Sequence, residues 1–219
     1  MKKNLTELVF LLDRSGSMGG LEEDTINGYN EMLKKQLTEP GEAIITTVLF
    51  DSEFELLHDR LNLREALPIT DKEYYVRGST ALLDAIGLSI SKIVNNIKQK
   101  KESEKPERVI FIITTDGEEN SSREYSFKKI NKMITHQKEK YDWEFIFLGA
   151  NIDAIATARR FGISEDRASN YHADKIGTQL SYQVLNETVS NLRARKLIDK
   201  NWKSKIEEDY QSRNKDNRC

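Results

Sequence analysis

Asp13, Ser15 and Ser17 stand at alternate positions directly after an apolar run, Leu8-Val9-Phe10-Leu11-Leu12. A carboxylate and two hydroxyls spaced this way, on a chain that leaves a strand and turns, can aim their oxygens at one point. Asp116 follows a second apolar run, Val109 to Ile113, and Gly117 behind it permits a tight turn. Thr80, in Gly78-Ser79-Thr80, precedes a helical pattern that starts near Ala81 and brings a further hydroxyl from a third loop. Asp13, Ser15, Ser17, Thr80 and Asp116 offer oxygen alone, the donor set of a hard cation such as Mg²⁺ or Mn²⁺ and not of zinc or copper. The two carboxylates would neutralise a dication without saturating it, so an open position could take water or an external carboxylate. The competing reading is that Asp13, Ser15 and Ser17 cap a helix N-terminus.

Such loops need a frame, and the apolar runs supply one. With a third run, Phe145 to Leu148, they are short, continuous and rich in branched or aromatic residues, the pattern of strands covered on both faces in a parallel sheet. Each ends in small or polar residues. Between them, Ile26, Tyr29, Leu33 and Leu37 follow helical steps, as do Leu82, Leu83, Ile86, Ile90, Ile93, Val94 and Ile97. Tyr125 to Lys138, Ala154 to Phe161 and the stretch from Gly177 to Leu197 are further helix candidates. Ala43 to Phe50 is β-rich, and Asp51-Ser52-Glu53 turns it into Phe54 to Leu57, a hairpin. Strands alternating with helices imply a three-layer, Rossmann-like α/β fold whose ligands sit beyond the carboxyl ends of the strands.

The three segments Asp13-Arg14-Ser15-Gly16-Ser17-Met18, Gly78-Ser79-Thr80-Ala81-Leu82 and Thr114-Thr115-Asp116-Gly117 resemble, in order and strand context, the metal-ion-dependent adhesion site of von Willebrand factor type A domains. The resemblance spans roughly residues 5 to 175. It implies a mostly parallel central sheet with one antiparallel edge strand, which the hairpin would supply, and helices on both faces. It also implies that Asp13, Ser15, Ser17, Thr80 and Asp116 are metal ligands, some through water, and that the ion coordinates an Asp or Glu of an unidentified protein partner. The family often has Gly-Gly-Thr where this chain has Gly78-Ser79-Thr80, a change that keeps the ligand.

Composition narrows the alternatives. Lys+Arg 34 against Asp+Glu 36 leaves a net charge of −2, so no global basic field favours nucleic acid. No stretch approaches the roughly 18 apolar residues of a membrane helix, and the run after Met1-Lys2-Lys3 is too short for a signal peptide. The lone cysteine, Cys219, excludes an intramolecular disulfide, so a cytoplasmic protein is expected and an extracellular adhesion domain is not. A phosphohydrolase of the haloacid dehalogenase type also gathers aspartates around Mg²⁺ at strand ends, but it needs a second acid two residues after its nucleophile, where this chain has Ser15. A non-enzymatic interaction module is the expectation.

The expected domain spans residues 1–200, and 201–219 is a polar tail, dispensable and frayed unless Trp202, Ile206 and Tyr210, at four-residue spacing, dock as a short helix. Asp51 and Asp84 read as surface or capping groups, His58, His136 and His172 as ordinary histidines, and Glu118, Glu119 and Asn120 as solvated or as a rim to Asp116. Tyr74-Tyr75 either pack on the sheet or face the ligand. Lys98 to Arg108 reads as a solvated helix end whose glutamates dilute its lysines, and Gly149-Ala150-Asn151 lacks the spacing of a dinucleotide loop.

Overall fold

Each apolar run is a strand in the computed structural model, which describes residues 1–216, with side chains through Asn214. The expectation built on Cys219 lies outside the described residues. Strands β1 (Lys2–Asp13), β2 (Glu42–Phe50), β3 (Phe54–Asn62), β4 (Pro106–Thr115), β5 (Glu144–Ala150) and β6 (Ala168–Tyr171) form one six-stranded sheet in the order β3-β2-β1-β4-β5-β6. All neighbours pair in parallel except β2 and β3, the hairpin at the edge. The helices are α1 (Glu22–Thr38), α2 (Leu82–Gln99), α3 (Phe127–Tyr141), α4 (Ala154–Phe161), α5 (Lys175–Arg193) and α6 (Ser204–Asp216).

The period of two along a strand sorts β1 between two cores. Leu8, Phe10 and Leu12 pack with Tyr29 and Leu33 of α1 and Leu185 and Val189 of α5. Val9 and Leu11 face the other way, among Ile86 and Ile90 of α2, Ile130 and Ile134 of α3, and Phe161 of α4. Because both faces are covered, the central strands need no strict polar alternation, and Asp13, Thr114 and Thr115 stand where β1 and β4 emerge at their carboxyl ends.

β1 begins earlier than its apolar run suggests, because Lys2 pairs with Pro106 of β4 across a register irregularity before Thr6. β6, Ala-Ser-Asn-Tyr, has no apolar run to announce it and exists by pairing with Phe147 to Ala150 of β5.

Of the two forms considered for the chain after Asn201, the described residues take the helical one. Ile206 is buried in the core shared by α1 and α5. The Trp202 indole donates to the Asp166 carbonyl at 2.7 Å, and the Lys203 ammonium donates to the carbonyls of Glu165 and Ala168 at 2.9 and 2.8 Å. Arg213 bridges Asp209 on its own helix and Asp174, the N-cap of α5. A boundary at residue 200 therefore cuts through packed structure, and dispensability gives way to docking. Ile206→Ala should cost about 2–5 kcal/mol in urea denaturation, whereas Leu197→Ala, at a side chain 92% exposed, should cost almost nothing.

Besides Asp13 at its carboxyl end, β1 carries an acid into the core. Glu7 is fully buried on the α2 side, with the Arg60 guanidinium of β3 at 3.2 Å. Desolvation pushes its carboxyl up to about 7, against the pull of Arg60. The folded chain thus binds this proton more tightly than the unfolded chain, and stability falls as pH rises from about 4.5 to about 7. Glu7→Gln should flatten that part of the pH profile, with a gain relative to the parent, on the order of 3 kcal/mol, that is present at pH 8 and absent near pH 4. Denaturation measured at both pH values checks the sign.

Candidate metal centre

Three loops meet where β1, β2 and β4 end. The chain leaves β1 at Asp13 and makes a single 3-10 turn, Gly16–Met18. The Arg14 amide donates to the Phe50 carbonyl at the end of β2. The long segment between β3 and α2 then crosses this loop: the Arg77 amide donates to the Arg14 carbonyl at 2.9 Å, and the Gly16 amide to the Gly78 carbonyl at 3.1 Å. Gly78 has a φ of 65°, and a Cβ there would lie 2.6 Å from the Ser52 hydroxyl oxygen, so this position needs glycine for both conformation and space. The left-handed turn is made by Gly78 itself, which leaves Ser79 exposed and delivers Thr80 inward.

The five sequence-identified side chains converge. Thr80 Oγ1 donates to Ser15 Oγ at 3.0 Å, Ser15 Oγ lies 3.1 Å from Ser17 Oγ, and Ser17 Oγ donates to Asp116 Oδ1 at 2.6 Å. Each hydroxyl has one proton, so with Ser17 donating to Asp116 the Ser15–Ser17 bond must run from Ser15. Asp13 closes the other side, its two oxygens accepting from the Ser15 amide and the Thr115 hydroxyl. Ser15 does flank the 3-10 turn, but its side chain makes no capping hydrogen bond, so the capping reading fails.

Charge and space both fit a hard cation. Asp13 and Asp116 are buried, and Asp116 Oδ2 has no hydrogen-bond partner. Burial pushes the Asp13 carboxyl up to about 6, against hydrogen bonds from Thr115 and Ser15, and burial also raises Asp116. A Cβ on Gly117 would sit 2.8 Å from Ser17 Oγ, 2.9 Å from Thr80 Oγ1 and 3.7 Å from Ser15 Oγ, so the missing side chain opens a space walled by these hydroxyls. Among the described residues no three His, Cys, Asp or Glu side chains cluster, so an ion held here would lean on hydroxyls.

Several positioning residues escaped the sequence reading. Asp51, expected at the surface or as a cap, is buried and holds two arginines: Arg14 Nε at 2.9 Å and Arg77 Nε at 2.8 Å. Burial raises its carboxyl, the two guanidinium groups more than cancel that, and the net is a lowered pKa. The Asp51 carbonyl also accepts from the Ala81 amide beside Thr80. Asp51 thus ties the Asp13 loop to the Thr80 loop. Asn120 is exposed but not free, since its side-chain carbonyl accepts from the Thr80 amide and its backbone amide donates back to the Thr80 carbonyl. Glu119 accepts from the Leu83 amide at the start of α2, and Asp84 from the amides of Arg123, Glu124 and Tyr125.

Tyr74 is buried and donates its hydroxyl to the Asp13 carbonyl, whereas Tyr75 is exposed with the Arg14 and Arg77 guanidinium groups over its ring. The histidines lie apart: His58 on Thr47 and Tyr29, His136 against the Tyr141 ring, and His172 on the Tyr210 carbonyl. No signal in the sequence marks Asp51 or Asn120, because their partners are 26 to 40 residues away.

No protein-family model matches the sequence, and no curated protein matches it. Solved structures do. The von Willebrand factor type A protein of Catenulispora acidiphila superposes with a TM-score of 0.59 at 13% identity, over 85% of this chain and 42% of that one. Manganese-loaded TRAP protein of Plasmodium vivax gives a TM-score of 0.59 at 18% identity, over 82% of this chain and 72% of that one. Proximal thread matrix protein 1 of the mussel byssus, in a structure with a zinc-occupied metal-ion-dependent adhesion site, gives 0.56 at 12% identity, over 84% of this chain and 46% of that one. The chain therefore spans less than half the length of the mussel and Catenulispora proteins, and identities this low establish the fold alone.

Gly117→Ala places a methyl group among the three hydroxyls without touching a carboxylate. It should weaken Mg²⁺ and Mn²⁺ binding by calorimetry at least about tenfold, or about 1.4 kcal/mol, while circular dichroism and the melting temperature stay close to the parent. Asp51→Asn removes the shared charge and leaves Arg14 buried against Glu55 alone. It should destabilise the chain by about 3–5 kcal/mol and loosen cation binding together with it.

Proposed function

We propose that this chain, which has the von Willebrand factor type A fold, is a non-enzymatic, metal-dependent protein-binding module. Asp13, Ser15, Ser17, Thr80 and Asp116 would hold Mg²⁺ or Mn²⁺, and the ion would take an Asp or Glu carboxylate from a protein partner. The observation that carries this reading is the line of oxygens from Thr80 through Ser15 and Ser17 to Asp116, which ends on the unpartnered Oδ2 beside the space left by Gly117. Bound there, the cation supplies a hard, positive point of attachment for an anionic oxygen.

The chain's own residues do the rest. Asp13 and Asp116 provide the charge. Thr80, Ser15 and Ser17 provide neutral oxygens, so the site retains attraction for another anion. Thr115 and the Ser15 amide hold Asp13 in place, and Tyr74 fixes its backbone. The serine two residues after Asp13 leaves no carboxylic acid there to protonate a leaving group, which favours binding over phosphoryl chemistry. Oxygen donors favour Mg²⁺ or Mn²⁺, and the zinc in the mussel protein makes zinc the third ion to compare. A content of one cysteine supports a reducing, cytoplasmic setting.

Immobilised chain should retain a partner in Mg²⁺ or Mn²⁺ and release it in chelator. Asp13→Ala should abolish cation binding and capture together, and Thr80→Ala should reduce capture more than cation affinity. Capture that persists in chelator and in Asp13→Ala would overturn the reading, as would turnover of a generic phosphate ester that depends on Asp13.

A further inference from the structure

A groove runs between α2 and α3, outside the oxygen cluster. Its two adjoining depressions measure about 480 and 450 Å³. The floor is mainly apolar: Val94 and Ile97 of α2 and Met133 of α3, half-buried, over the buried Ile90 and Trp143, with Ser91, Asn95 and Gln137 among them. The rim is cationic, with Lys132, His136 and Lys140 from α3 facing Lys98 from α2, and no carboxylate lines either depression. Lys105 also reaches the rim but is paired with Glu102 at 2.8 Å.

Acids around this rim are few, with Asp142 lining the neighbouring depression beside Lys140 and Trp143. α3 carries five lysines, at 128, 129, 132, 138 and 140, against one acid, Glu139. The one acid of α2 is Asp84, at the other end of the helix, where three backbone amides occupy it. The glutamates that dilute the charge of residues 98–108 in the sequence are engaged elsewhere. Glu102 pairs with Lys105 and the N-terminal ammonium, Glu104 accepts from the Lys101 amide, and Glu107 pairs with Arg195. In a chain of net charge −2, a carboxylate-free groove with an apolar floor is a local exception.

We propose that the α2–α3 groove docks an acidic amphipathic segment of a partner protein, with apolar side chains on the floor and carboxylates on Lys98, Lys132 and Lys140. Charge complementarity selects acidic, and the floor selects amphipathic. A phosphate backbone would match the lysines but make no use of the half-buried apolar faces of Val94, Ile97 and Met133, and Trp143 is too buried to stack a base. Lys132 to Lys140 spans about 12 Å of helix, so the occupant is a segment of a few turns. This surface stands independently of the cation, because none of the five oxygen-bearing residues lines it.

The test uses the ¹⁵N-labelled full chain in chelator, so that no cation at the strand ends can capture a carboxylate. The probes are a peptide of about 14 residues with leucines on one helical face and glutamates elsewhere, a scramble of the same composition, and oligo-dT of similar charge. The amphipathic peptide should shift the amides of Val94, Met133 and Trp143 and bind at least about tenfold tighter than the scramble or oligo-dT. Lys98→Glu with Lys132→Glu, both at exposed side chains, should cost a similar factor while the spectrum elsewhere stays unchanged. Absence of shifts in the groove, equal binding of the scramble, preference for oligo-dT, or unchanged affinity in the double variant would each overturn the proposal. None of these results bears on cation binding, which Asp13→Ala probes separately.

Discussion

Two carboxylates buried at the ends of neighbouring parallel strands, with only hydroxyls and an amide to answer them, are the constraint around which this molecule is built. Burying a charge without a counter-charge is expensive, and neutral hydrogen bonds offset only part of the penalty. Asp13 therefore holds its proton up to about 6 and Asp116 shifts the same way. A parallel sheet covered on both faces makes this arrangement possible, since β1 and β4 run side by side and their polar carboxyl ends lie together.

What keeps the oxygens from drifting apart is a second layer of charge. Arg14 follows Asp13 in sequence but turns its guanidinium away, to Asp51 at 2.9 Å and Glu55 at 2.6 Å, and among the described residues no Lys or Arg pairs with Asp13. Arg77 approaches Asp51 from the Thr80 loop. A buried ion pair is weak evidence for net stability, because desolvation cancels much of the attraction, but removing one member leaves a naked charge. Its value here is geometric: one aspartate adds a charged tie between two loops already joined by backbone bonds and by the Thr80–Ser15 hydroxyl pair, and Asn120 ties the Thr80 and Asp116 loops in the same way.

The parts legible in the sequence were those with a local cause. Continuous apolar runs announce β1, β4 and β5, helical spacing announces α1 and α2, and the hairpin is written in Asp51-Ser52-Glu53. The five oxygen-bearing residues could be named because each follows a recognisable strand or precedes a recognisable helix. β6 has no such cause: four residues acquire strand geometry from β5 alone. Asp51 read as a turn residue, which it is, but its burial depends on two arginines whose approach only the folded loops create. The end of the chain looked too polar to pack, yet Ile206, the Trp202 indole, the Lys203 ammonium and Arg213 find partners once α5 and β6 are in place.

Lys203 has a further effect, on the open side of the sheet. β6 is an outermost strand, and the Ala168 carbonyl that it offers outward is occupied by an ammonium group instead of the amide of an incoming strand. At the opposite margin β3 is kinked by two register irregularities and carries Glu55, Asp59 and Arg60. An exposed strand with free backbone groups is a template for runaway self-association, and proteins blunt such margins with charge, kinks or coverings. Here one margin is covered by a helix that contributes a lysine and the other is bent and charged. The molecule thus keeps a strongly apolar, strand-rich interior without presenting a flat border on which copies of itself could polymerise.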